Sequence, residues 1–361
     1  MNPPGSRPIL RLGARAIPVI LPSRSDPRLR LAVVIVALQV LGQVGLGFKL
    51  SISQILVSIG VCALVEMAIT YRQQRVLVWP ASAILTGNST AFILRANGTH
   101  HGDWWSLNGI EFFVLASLVG ILSKYVIRWG GRHLYNPSNL GLVLCFLIIG
   151  ATHVFPQYLW WGPMNLPVAL ALVVILAGAV WVLRPLQMLP MVVAFLVTFA
   201  VLIAAIAASG GCFLATWHAG PICGSAYWFN ICTSPELLVF TFFMISDPRT
   251  APQRPLARVI YGVAIAVLAA ALILPQPSEY GIKVALLASL AVVCSFVWVL
   301  DRFVARPQVE PAKPLATPSL VSFFAAVAIT LGVPSATVAL ASNQQVVDID
   351  SGINTPGTPI Q

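Results

Sequence analysis

Three short stretches gather the polar residues that could do chemistry in an otherwise apolar chain. The first, 80–94, holds Thr86, Gly87, Asn88 and Ser89 between apolar neighbours. Amides and hydroxyls facing lipid would be heavily penalised. Asn88 and Ser89 are therefore expected to face a central cavity. The second stretch, 130–139, reads Gly-Gly-Arg132-His133-Leu-Tyr-Asn136-Pro137-Ser138-Asn139. Two glycines permit backbone geometry closed to other residues. Asn136 before Pro137 predicts a turn followed by a helix start, which Asn136 or Ser138 can cap. A helix N-terminus beside Arg132 and His133 suits a phosphate or another anion, and a capped turn near lipid headgroups is the plainer alternative. The third stretch, 235–248, carries Glu236, Thr241 and Asp247, with Thr250 just beyond. Glu236 at the start of a helix is favoured by the helix dipole. Asp247 at its end is expected to pair with Arg249 or Arg254, or to line the mouth of a cavity.

Three cysteines, Cys212, Cys223 and Cys232, share one loop with His218. They leave three readings open: one disulfide, a metal site, or free thiols. Spacings of eleven and nine residues match no Cys-x-x-Cys ligand pattern. Cys62, Cys145 and Cys294 fall within apolar runs and read as packing residues.

The elements that must position these residues are membrane helices. Apolar residues make up 58% of the 361 residues and charged residues 9%, against roughly 25% charged in soluble domains. The net charge of +10 does not imply nucleic acid, because the charges punctuate apolar runs and form no patch. The bilayer itself is the first partner. Candidate spans are 31–48, 52–70, 80–94, 109–127, 137–155, 166–183, 189–208, 234–248, 257–275, 281–300 and 318–342. If every span crosses, all Lys and Arg except Lys49, Arg95 and Lys283 fall on one side. The positive-inside rule makes that side cytoplasmic. The expectation is a multi-pass protein of the cytoplasmic membrane, with the N-terminus inside and the C-terminus outside.

Ten of the eleven crossings form two sets of five, 31–155 and 166–300. An odd number per set turns the second set upside down. The short segments 80–94 and 234–248 are then the third crossing of each set, and paired interrupted segments point to a binding site. The fifth crossings also share a Pro-Ser-x-x-Gly pattern, 137–141 against 277–281. The expected fold class is all-α: a polytopic bundle of two inverted five-helix repeats with short third helices, plus one C-terminal helix. Around the membrane domain 31–302 lie a basic N-terminal segment, 1–30, a Pro-rich linker, 303–317, the extra helix 318–342 and a tail, 343–361.

The stretch 131–141, with Leu85-Thr-Gly-Asn-Ser89, Leu94-Arg95 and Phe243-Met-Ile-Ser-Asp-Pro-Arg-Thr250, resembles the NqrB/RnfD family in motif order over about 30–302. These are membrane subunits of sodium-pumping NADH:quinone reductase and of Rnf complexes. The resemblance implies an inverted five-plus-five fold related to urea and ammonium channels, and redox partner subunits. Respiratory members attach FMN to the threonine of a Ser/Thr-Gly-Ala-Thr motif. That motif is missing, and neither Thr216 nor Thr233 has its context, so covalent FMN is not expected and a non-covalent flavin or quinone stays open. The chain is also similar to UnbU-type membrane proteins of enediyne biosynthesis clusters, which implies a link to natural-product biosynthesis. No Walker loop, Rossmann fingerprint or catalytic triad is present. Three functions remain: transport of a small solute or ion, electron transfer through a flavin or quinone, and a membrane anchor for biosynthetic enzymes.

Overall fold

The computed structural model describes residues 9–12, 15–23, 26–157 and 165–303. The expected linker, extra helix 318–342 and tail lie outside them. Helix α1 is Pro27–Gly45, α2 Ile52–Gln74, α3 Ala81–Ile93, α4 Ile110–Val126 and α5 Pro137–Ile149. The second half follows with α6 Leu166–Leu186, α7 Leu189–Ala208, the short α8 Gly224–Cys232 and α9 Pro235–Val239. Helices α10 Pro255–Ile273, α11 Glu279–Cys294 and α12 Val297–Phe303 complete it. Each of the ten expected spans up to residue 300 contains a helix. Among the described residues, α1, α2, α6, α7 and α10 are long and apolar enough to cross a bilayer. Their outer faces carry apolar residues, such as Val33, Val40 and Val44 on α1 and Val197 and Val201 on α7. Helices apolar on the outside as well as inside belong in lipid. The chain is an integral membrane protein with an all-α bundle.

Starts and stops follow local chemistry. Ser51, Asn136, Asn165, Ser234 and Ser278 each accept a backbone N–H as N-cap, satisfying donors the helix leaves open. Prolines stand in the first turn of α1, α5, α6, α7, α9 and α10, where a missing N–H costs nothing.

Packing follows a two-fold pattern. Helix α2 packs on α4 as α7 packs on α10, and α4 packs on α5 as α10 packs on α11. Helix α1 meets α6, and α5 meets α11, so the two halves touch through their first and their last long helices. The third helix of each half is short. Helix α3 has 13 residues, and α9 has five before a π-helical turn, Phe240–Met244.

Where helix ends early, other backbone pairing takes over, as burial away from water demands. The expected span 137–155 stays helical only to Ile149. Gly150 turns at φ +80°, and Val154–Pro156 (β7) pairs antiparallel with Leu94–Ala96 (β4) directly after α3. The basic N-terminal segment carries strands Ile9–Leu12 (β1) and Arg15–Ile20 (β2), and β2 pairs with Leu77–Val78 (β3). Arg128–Trp129 (β5) pairs with Arg132–His133 (β6). Cys212–Phe213 (β8) pairs with Ile222–Cys223 (β9).

Candidate functional site

One face of the bundle gathers the start of α1, the ends of α2, α4 and α6, the starts of α3 and α5, and the segment after α9. There a cavity of about 510 Å³ opens. Helix α3 contributes Ser82, Leu85, Thr86, Ser89, Phe92 and Ile93 to its wall, the i, i+3, i+4, i+7 spacing of one helix face. The cavity is sized for a small molecule. Its lining includes Arg28, Lys124, Arg128, Arg132 and Arg249 against Asp26, Glu66 and Asp247, a positive balance that favours anions.

Three ion pairs organise this wall. Lys124 Nζ lies 2.5 Å from Glu66 Oε1 and donates to Ser82 Oγ at 3.1 Å, so α2, α3 and α4 meet at one ammonium. Asp26, the N-cap of α1, accepts from Arg28 Nη2 at 2.7 Å. That hydrogen bond holds its carboxyl below the usual carboxylate range against the opposing effect of burial, with smaller help from the Arg28 and Arg249 charges. His133 Nε2 stands 3.7 Å from Asp247 Oδ2, a pair that carries charge on both sides only with His133 protonated. It joins the loop before α5 to the segment after α9.

No family model matches this chain, and no curated protein does either.

Eight of the twelve expected site residues line the cavity: Thr86, Ser89, Arg132, His133, Asn136, Pro137, Ser138 and Asp247. The other four do not. A Cβ on Gly87 would lie 2.3 Å from the Ser58 carbonyl oxygen, so Gly87 serves close packing of α3 on α2. Asn88 was expected beside Ser89 in the cavity. It is 3% exposed, its Oδ1 has no hydrogen-bond partner, and it is absent from the lining. A step of one residue turns a helix by about 100°, which carries Asn88 off the face that Ser89 shares. Asn139 Nδ2 donates to the Leu287 carbonyl, tying α5 to α11. Thr250 is buried and bonded to the Asp247 carbonyl.

The carboxylate of Asp247 does not take the expected side-chain partner. It accepts from the Arg249 backbone N–H at 2.9 Å and faces His133 across the repeats. Asn136 caps α5 through Oδ1 and donates Nδ2 to the Met244 carbonyl, so the turn also locks the second half in place. Arg132 donates to Asp301 Oδ2 at 2.8 Å and to the Ala251 carbonyl, leaving an anion to compete with a carboxylate already there. Cys212 and Cys223 are joined as a disulfide across β8 and β9, and Cys232 is a buried free thiol.

Toward the opposite face a second polar cluster appears. Lys283 Nζ lies 2.8 Å from Glu236 Oε1 and 2.7 Å from Glu279 Oε1. Trp217 Nε1 donates to Glu279 Oε2 at 3.1 Å. The cap of α9 is Ser234, whose Oγ accepts from Leu237 N, so Glu236 enters an ion cluster in addition to its place at a helix start. Sequence reasoning passed over Glu66 and Glu279. The signal for Glu66 was present, since it is the one acid inside the apolar run 52–70. The meeting of Glu236 with Lys283 needed the relative register of α9 and α11, which no local pattern carries.

Proposed function

We propose that this protein passes a small anionic solute or ion across the membrane along the line of its two short helices. One observation carries the reading. The 510 Å³ cavity and a small cavity on the far side share Phe92, Ile93, Val239 and Met244 as common walls. A charged mouth and an apolar constriction thus lie in sequence, with a small, mainly apolar space bordered by Gln157, Glu236 and Lys283 beyond them, the arrangement of a gated path. The resemblance of three ordered motifs to the NqrB/RnfD family, with its channel-related fold, supports it. We place the basic face in the cytoplasm because the Lys and Arg residues gather there.

The test is flux through proteoliposomes. Vesicles holding the protein should swell in isosmotic potassium acetate or phosphate, with valinomycin present, faster than empty vesicles. Val239→Trp, which fills the constriction, should abolish the difference. Equal swelling of loaded and empty vesicles refutes the passage.

A second reading has its own support. The cavity volume suits a ring cofactor, and Tyr125, Phe243 and Arg249 among its walls fit the rings and a phosphate of a non-covalent flavin. Such a group would supply electron transfer when bound. A yellow purified protein whose colour acid releases into solution would favour this reading over passage alone.

A further inference from the structure

We propose that the solute is an amphiphilic organic anion, a carboxylate or phosphate on an apolar body, which enters the large cavity tail first and keeps its charge at the mouth beside Arg128 and Arg249. That it is carried rests on the passage proposed above; its chemical class rests on the wall of the cavity.

Most cations of that wall are already committed. Arg28 holds both oxygens of Asp26, Arg132 holds Asp301, and Lys124 holds Glu66. His133 faces Asp247. Arg128 and Arg249 differ. Arg128 gives Nη2 to the Gly131 carbonyl, a neutral acceptor. Arg249 reaches Asp26 through its charge alone. Among the described residues, neither guanidinium forms a salt bridge with a carboxylate. Both residues are exposed and border the cavity. One follows α4 in the first half and the other follows the short helix of the second. A guanidinium in that state offers paired N–H donors to an arriving carboxylate or phosphate.

Depth reverses the chemistry. On α1, Asp26 and Arg28 are followed inward by Leu31 and Ile35; on α3, Ser82 is followed by Leu85 and Phe92. The segment after α9 runs the other way, with Phe243 before Asp247 and Arg249. Each element meets the cavity with polar groups at the basic face and apolar side chains inward. Helical rise sets Ile35 about 10 Å deeper than Arg28, and Phe92 about 15 Å deeper than Ser82. Thr86 spends its hydroxyl on the Ser82 carbonyl, which leaves Ser89 as the polar exception on the inner wall of α3. An inorganic anion gains nothing from such a wall and loses hydration against it. An apolar body gains from every methylene it buries there.

The test is displacement of radiolabelled phenylbutyrate from the full chain in nanodiscs, with empty nanodiscs subtracted for partition into lipid. Acetate, butyrate and hexanoate should displace it in rising order, by about two- to fourfold per added methylene. Phenylbutyramide, the neutral isostere, should bind at least about tenfold more weakly than the acid. Arg128→Gln and Arg249→Gln should each weaken the acid about three- to fivefold and leave the amide unchanged, a split that a misfolded variant would not give. Equal affinity for acetate and hexanoate, equal affinity for acid and amide, or wild-type binding by both variants overturns the proposal. The ligand series needs only wild-type protein and decides the matter should a variant fail to fold.

Vesicle swelling separates this class from the passage itself. Swelling in acetate that phenylbutyrate does not inhibit, together with a flat ligand series, defeats the class and leaves the passage. An ordered ligand series with no swelling in any anion defeats the passage and leaves the site.

Discussion

Lys124 decides how three helices meet, and its loss should show it. Its ammonium holds Glu66 and Ser82, with side-chain exposures of 15% for Lys124 and 10% for Glu66. Lys124→Met would leave Glu66 facing the cavity uncompensated and should cost about 3 kcal/mol. The double change Lys124→Met with Glu66→Leu should recover most of that, because removing both partners leaves no buried charge. Unfolding of the detergent-solubilised variants by SDS measures both. Close approach gives the second residue-scale prediction. Gly87→Ala would set a methyl group 2.3 Å from the Ser58 carbonyl oxygen, and backbone cannot rotate away. It should destabilise by about 1–3 kcal/mol. Gly60→Ala, on the facing helix with nothing within 4 Å of the added carbon, should be neutral or stabilising by up to about 1 kcal/mol.

At the scale of elements, helix existence was legible and helix neighbours were not. Apolar runs and first-turn prolines marked the ten helices up to residue 300. The π-helical turn at Phe240–Met244 and the β4–β7 ladder leave no local trace, because each answers a shortage of backbone partners that only tertiary structure creates. The cysteine pairing was equally silent: three thiols in one loop allow three pairs, and only the β8–β9 register brings Cys212 to Cys223. That crosslink closes a short loop tied onto the start of α11 through Leu214, which bonds Pro277 and Glu279. Replacing both cysteines by serine should cost about 3 kcal/mol on the loop-entropy account and raise hydrogen exchange at Leu214. The start of α1 has a pH signature. The Asp26 carboxyl is held low mainly by its Arg28 hydrogen bond, and a depressed acid stabilises only while ionised. Its contribution should be complete above the unfolded value, near pH 4, and fade as pH falls through the lower folded value. Asp26→Asn keeps a capping oxygen and should remove this dependence, read from rate-corrected hydrogen exchange in the first turn of α1.

For the whole molecule, charge placement and packing lead to the same threading by separate routes. The positive-inside argument requires both short segments to cross, since one re-entrant segment would invert everything after it. The structure brings the two ends of that argument together at one cavity. Arg249, which follows the second short helix, is near enough to Asp26, before α1, for its charge to act on that carboxyl. His133 and Asp247 also meet across the repeats on the same face. Seven helix ends therefore share this face only if every intervening segment traverses the bundle. The twelve candidate residues were legible as a polar set for the same reason, because apolar surroundings make any polar residue conspicuous. Which of them border the cavity depends on helix rotation, and Asn88 against Ser89 shows a single residue deciding it. A labelling experiment tests the threading in intact cells. Single cysteines at Arg128, Arg249 and Lys49, in a background where the four free cysteines are serine and the disulfide is kept, meet a membrane-impermeant maleimide. Lys49→Cys should react from outside, whereas Arg128→Cys and Arg249→Cys should react only after permeabilisation. Reaction of Arg128→Cys and Arg249→Cys from opposite sides would break the shared cavity, and with it the inverted repeat. Reaction of both from outside, with Lys49→Cys protected, would keep the fold and reverse its orientation.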